Sequence, residues 1–177
     1  MAWVDYLGVQ LPVSRMAGPA ILQRGRAAGF APTDLGAALA AVHLLVRASP
    51  SPGPAVFGPT LVEQVVGPDS QALVKSVERD YATVLQQSAL PAGAAVQGGR
   101  LELLGYRIAG GSSGVRQVTL VERAPDANGV GQTYEVAVDV QWVDGDWRLV
   151  APRDGRWENA FTWLDVAPQP YLVFGGA

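Results

Sequence analysis

A chain of 177 residues is one domain's length, enough to bury roughly 70% of the surface its unfolded form exposes, and 49% apolar content excludes wholesale disorder. Thirteen basic residues, 12 of them Arg with Lys75 the lone lysine, against 16 acidic ones give a net charge of −3, a balance that argues against the basic face a duplex nucleic-acid binder needs to neutralise several phosphates. Cysteine is absent, which removes disulfides, thiolate nucleophiles and iron–sulfur clusters, and the single histidine, His43, removes metal sites built on several imidazoles.

Residues 1–31 are punctuated by Pro12, Gly18-Pro19, Gly25 and Gly29, and the alternation from Tyr6 to Val13 is too interrupted for a long element. They read as an extended arm. Trp3, Tyr6, Leu11, Met16, Ile21, Leu22 and Phe30 make it too apolar for a free tail, so it is expected to pack on the body. Nothing at Met1-Ala2-Trp3 resembles a signal peptide, and no run approaches the roughly 18 apolar residues of a membrane span.

Thr33 can cap and Asp34 suits the positive end of a helix dipole. Leu35, Ala38, Leu39, Val42, Leu45 and Val46 then recur at helical spacing, which predicts a first helix over 34–48. The prolines of Ser49-Pro50-Ser51-Pro52-Gly53-Pro54 stop it and make a stiff connector. Thr60-Leu61-Val62-Glu63 fits a capping box opening a short second helix, ended by Gly67-Pro68. Asp69 or Ser70 caps a third helix, with its stripe at Leu73, Val77, Tyr81, Val84 and Leu85 and its close at Pro91.

From residue 100 the period changes from 3.6 to 2, with strands predicted over 101–108 and 115–123. In a third, over 133–143, Tyr134, Val136, Val138, Val140 and Trp142 share one face. Asp144-Gly145 suits a type I′ turn into a return strand at Trp147-Arg148-Leu149-Val150-Ala151. The tail, with Trp157, Phe161, Trp163, Leu164, Tyr171 and Phe174, is aromatic enough to dock, while Pro168 and Pro170 keep it irregular. The expected organisation is an arm over 1–31 and a single α+β domain over 32–177.

Three helices followed by a meander of antiparallel strands resemble the nuclear transport factor 2-like superfamily. That implies a cone of three N-terminal helices packed on a curved antiparallel sheet of about four strands. Gly29-Phe30-Ala31 running into Thr33-Asp34-Leu35-Gly36-Ala37-Ala38-Leu39, together with Gln141-Trp142-Val143-Asp144-Gly145-Asp146-Trp147-Arg148-Leu149, is similar to an uncharacterised actinobacterial family associated with integrative and conjugative elements. Related domains serve as extracytoplasmic scaffolds of type IV secretion and conjugation machines behind an N-terminal membrane helix, which this sequence lacks. The resemblance implies a membrane-anchored, extracytoplasmic location in a longer protein, or a cytoplasmic one if Met1 is the native start. Protein partners or self-association would be its business, with neither nucleic acid nor cofactor.

Enzymes of that fold move protons with an Asp, often beside His or Tyr, inside the cone. The available parts are His43 on the first helix, Asp80 and Tyr81 on the third, and Tyr106 and Asp139 on strands. His43, beside the main apolar stripe, reads as a structural imidazole. Asp80, next to Arg79, reads as solvated, and Asp139, alternating with core residues, faces out of the core unless the sheet's other face lines a cavity. Arg148 and Arg153 with Asp144, Asp146 and Asp154 read as a hydrated hairpin end, and Gly110-Gly111-Ser112-Ser113-Gly114, joining two strands, as a flexible turn without a helix dipole for phosphate. The leading expectation is a non-enzymatic scaffold with no catalytic, cofactor or metal site. The rival is a small cone-shaped enzyme or carrier for an apolar molecule, using Asp80, His43, Tyr81 and Tyr106, and a third reading is a cytoplasmic subunit of another multiprotein machine. A ligand site needs a cavity of about 300 Å³ or more with an ionisable group aimed into it, whereas a scaffold fills its interior with side chains.

Overall fold

A computed structural model describes residues 1–96, 101–110, 114–126, 128–164 and 170–175. The centre of the glycine-rich turn, 111–113, and Pro168 lie outside the described residues.

The N-terminal arm is built of two β-hairpins, β1 (Ala2–Tyr6) with β2 (Val9–Val13) and β3 (Ile21–Gln23) with β4 (Arg26–Ala28). Each turns on two residues with positive φ, Leu7-Gly8 at 55° and 85° and Arg24-Gly25 at 50° and 76°, the signature that matches strand twist. Val9, Leu11, Ala17, Ala27 and Phe30 of this arm are buried in the common core.

The first helix, α1 (Asp34–Arg47), starts as its sequence dictates: the Thr33 hydroxyl accepts from the Gly36 amide at 3.1 Å. Every residue from Gly36 to Leu44 is buried, because one side of the helix lies on the main sheet and the other under β2 and β4. The second, α2 (Pro54–Glu63), begins six residues before the predicted capping box. Pro54 occupies the first turn, where its missing N–H costs nothing, and Thr60 lies near the helix end with its hydroxyl bonded back to the Val56 carbonyl. Next come β5 (Val65–Val66), where further helix was expected, and α3 (Ser70–Ser88), buried at Leu73, Val77 and Tyr81.

The strands β6 (Glu102–Gly110), β7 (Val115–Pro125), β8 (Gly131–Val143) and β9 (Asp146–Val150) follow their alternation, and β10 (Phe161–Trp163) adds a short sixth member. The sheet order is β5-β9-β8-β7-β6, with β10 on β8. All pairs are antiparallel except β5–β9, where Val65 and Val66 lie beside Leu149 and Val150. Asp144 and Gly145 have φ of 51° and 82°, and Trp142 and Trp147 meet edge to face across that hairpin at 5.3 Å. Leu172 closes the outer edge of β6 with two backbone hydrogen bonds to Tyr106, and this approach is open because Gly105 has no side chain: a Cβ there would stand 2.3 Å from the Leu172 oxygen.

The expected nuclear transport factor 2-like cone is therefore overturned. Instead of three helices on about four antiparallel strands, the described residues form a mixed six-stranded sheet and two small two-stranded sheets. Of the helices, α1 makes the broad contact with β6 to β9, while α3 packs on α2 and on the 3₁₀ turn at Arg153–Gly155. The arm packs on α1 through β2 and β4 and reaches the sheet where β2 meets β6.

Candidate ligand-binding site

Lengths decide where the sheet is left uncovered. Fourteen residues of α1 span about 21 Å, whereas the thirteen of β8 reach about 43 Å, so one helix cannot roof the strand. The serine–proline connector ends α1 at Arg47, and beyond it the β1–β2 hairpin, Ser49 and Ser51 of the connector, Leu101 and the segment leading into β10 surround this face of the sheet. A half-open, mainly apolar cavity of about 330 Å³ remains between them. Tyr6, Leu7 and Val9 of the arm form one wall, and Leu45 and Val46 from the last turn of α1 another. Trp157 and Phe161 close it from the C-terminal side, while Glu122, Ala124 and Tyr134 supply the floor.

The floor is where the chemistry lies. Glu122 and Tyr134 are direct cross-strand neighbours, so their side chains share a face, the same face as Val118, Leu120, Val136 and Val138. In that otherwise apolar row Glu122 is 4% exposed and accepts a hydrogen bond from the Tyr134 hydroxyl. Burial pushes its carboxyl up to about 7, with the Tyr134 bond holding it back. Burial likewise raises the Tyr134 phenol, and the neighbouring Glu122 charge adds to the effect. A carboxyl poised near neutrality can bind a ligand in either protonation state or exchange a proton with it. On the C-terminal wall, the indole N–H of Trp157 is buried without a hydrogen-bond partner.

Behind the arm wall stands a buried polar joint. His43, fully buried, meets the Pro12 carbonyl at 2.9 Å through Nε2 and Arg47 Nη1 at 3.1 Å through Nδ1. Arg47 also donates to the Gly25 carbonyl at 3.0 Å and lies 4.2 Å over the Tyr6 ring. One pair of side chains from α1 thus ties down both hairpins and sets the position of Tyr6.

A second fastening lies at the far end of the arm. The Asp146 carboxylate accepts from the Gly29 and Phe30 amides at 2.8 and 3.0 Å, and the Trp147 indole donates to the Ala31 carbonyl at 2.8 Å. Asp146 is thereby corrected from a hydrated hairpin charge to a clasp.

Residues 1–165 match the protein family described as Domain of unknown function (DUF8175). The chain belongs to that family. The matched stretch takes in both hairpins of the arm and β10, and so every wall of the cavity. No curated protein and no solved structure matches the chain.

The residues singled out from sequence are not brought together. His43 serves the arm joint, and Asp80 is solvent-facing beside Arg79 at 3.2 Å. The Tyr81 hydroxyl donates to the Ala94 carbonyl at 2.9 Å while its ring packs edge-on to Phe57. Tyr106 is buried against Phe174, 4.6 Å between ring centres, and Asp139 lies on the opposite sheet face in a shallow depression beside Gln117 and Arg153. None of the five lines the Glu122 cavity. A wider groove of about 630 Å³ shares Leu101 and Ala124 with it, but the charges there, Arg123 and Glu102, are exposed and pair with each other at 3.2 Å. Sequence reasoning passed over Glu122. Its signal was phase: with Val118 and Leu120 inward, a period of 2 carries Glu122 inward as well.

Proposed function

We propose that the protein binds a small, largely apolar molecule in the Glu122 cavity, as a carrier or receptor. The observation that carries this reading is one buried carboxyl, partnered by Tyr134, in an otherwise mainly apolar cavity of about 330 Å³. That volume falls in the range of about 300–1,000 Å³ in which proteins hold small ligands. An interior specialised only for scaffolding gains nothing from a buried acid, which costs stability wherever it ionises.

The test is to fill the cavity. Leu45→Trp places an indole at the wall formed by the last turn of α1. An environment-sensitive apolar dye should bind the wild type saturably and raise its melting temperature, with both effects abolished in Leu45→Trp. Dye binding that is indifferent to the substitution in a folded variant would reject the cavity as a ligand site.

A scaffold role in a conjugation or secretion-type assembly has one observation in its favour besides the sequence resemblance: Met16, Ile21 and Leu22 are exposed on the arm at 91%, 49% and 44%. Membrane attachment in that role would come from outside the described residues, in which no helix is long and apolar enough to cross a membrane. Replacing Met16 and Ile21 with Ser and Thr should then reduce association with assembly partners or with a second copy. A sedimentation profile unchanged across both forms, with assembly intact, would count against it.

A further inference from the structure

We infer that the occupant of the Glu122 cavity is a small organic cation, an amine or quaternary ammonium with apolar substituents, seated on the carboxylate and against the surrounding aromatic rings. The inference rests on the cavity being a binding site and goes on to name the class of its ligand.

Unspent hydrogen-bonding capacity is the first argument. An ionised carboxylate offers about four acceptor positions, and the Tyr134 hydroxyl occupies one. Among the described residues, no Arg, Lys or His forms an ion pair with Glu122. Buried acids are normally paired with a cation, and among the described residues none supplies one to Glu122. An anionic ligand would be repelled, an apolar one without a donor would leave the carboxyl with Tyr134 alone, and a neutral donor would bond it without balancing its charge. A cation supplies the missing charge.

The walls make the second argument. Four aromatic side chains, Tyr6, Tyr134, Trp157 and Phe161, line the same cavity. Ring faces carry partial negative charge and attract cations within about 6 Å, most strongly where water is excluded, which is how alkylammonium groups are held in aromatic cages. Tyr6 already stacks with one cation, since the Arg47 guanidinium lies 4.2 Å from its ring centre. Arg47 is not itself a lining residue, and its other bonds, to Gly25 and His43, hold it on the arm side. Carboxylate and rings together suit a charged head bearing methyl or methylene groups better than a bare metal ion, and no group of three or more acidic or imidazole ligands occurs among the described residues.

Calorimetric titration with benzyltrimethylammonium and with neopentylbenzene, its uncharged carbon isostere, separates charge from shape. The wild type at pH 8 should bind the cation at least tenfold more tightly than the isostere. Glu122→Gln should lose tenfold or more for the cation while changing isostere affinity less than twofold. If that variant does not fold, the comparison of the two ligands on the wild type decides the matter alone. Equal affinity for both ligands would overturn the cation assignment and leave the apolar cavity standing. Binding of neither would overturn both.

Discussion

Arg47 donates a hydrogen bond to Nδ1 of His43, 3.1 Å away, and since a guanidinium has no lone pair to offer, that contact fixes the imidazole tautomer. Nδ1 accepts, the proton resides on Nε2, and Nε2 donates it to the Pro12 carbonyl. The ring is neutral: burial lowers its pKa to about 4, and the Arg47 charge works in the same direction against the Pro12 bond. The one histidine in the chain is a hinge-pin of the arm.

This neutral imidazole and the Glu122 carboxyl act on stability in opposite senses. Glu122, raised from 4.5 to about 7, contributes stability that is present below pH 4.5 and lost as pH rises to 7. His43, lowered from 6.5 to about 4, contributes stability that is present above pH 6.5 and lost as pH falls to 4. Each is worth about 3 kcal/mol across its window, so the two slopes offset one another between pH 4.5 and 6.5. Urea midpoints should therefore rise with pH more steeply in Glu122→Gln than in the wild type, and fall with pH in His43→Gln. Parallel profiles for all three proteins would refute the assignment.

The Glu122–Tyr134 pair should behave as a unit. Tyr134→Phe alone removes the hydroxyl that donates to a buried acid and is expected to cost about 1–2 kcal/mol. Replacing both partners, with Glu122→Leu added, removes the unmatched polar groups together and should bring stability at pH 8 back to the wild-type level or above. A double-mutant cycle in urea reads the coupling, and additive losses would show that the two side chains act independently.

Asp146→Ala should cost about 2–3 kcal/mol, because the Gly29 and Phe30 amides lose a charged acceptor. Asp146→Asn should recover part of the loss. Limited proteolysis should cut the alanine variant first within residues 1–28. Unchanged cleavage would show that the arm does not depend on this clasp.

At Gly145, φ is 82° and an added Cβ would meet nothing within 4 Å, so substitution there tests backbone conformation without steric collision. Gly145→Val should cost about 1–2 kcal/mol, and Gly145→Asn clearly less. Equal stabilities by thermal denaturation would contradict the left-handed turn.

Where the determinants are local, the sequence was legible. The Thr33 cap and the serine–proline stop placed α1 within one residue of its observed end, and the long alternations placed β6 to β9. Leu39, Val42, Val77, Tyr81, Val136, Val138 and Val140, expected inside, are all buried. The hairpins of the arm were missed because Leu7-Gly8 and Arg24-Gly25 lack the Asn or Asp that usually marks such turns. Thr60-Leu61-Val62-Glu63 satisfies a capping pattern yet ends a helix, since Pro54 provides an earlier start. The cavity was invisible because it arises from a mismatch in length between α1 and β8 and from walls contributed by distant segments. Neither leaves a mark on residue spacing. Glu122 was obscured further by Val121, buried as it is, which blurs the phase of β7.

The clasp also sets an order of events during synthesis. The Phe30 amide and the Ala31 carbonyl find their side-chain partners 116 residues later in the chain, at Asp146 and Trp147. At about 5–20 residues per second, the arm emerges from the ribosome on the order of 10 s before anything exists for it to fasten to. During that interval its apolar side chains have neither sheet nor clasp to cover them. A nascent chain of this protein is thus a client for whatever shields exposed apolar segments, and docking of the arm is among the last steps of its maturation.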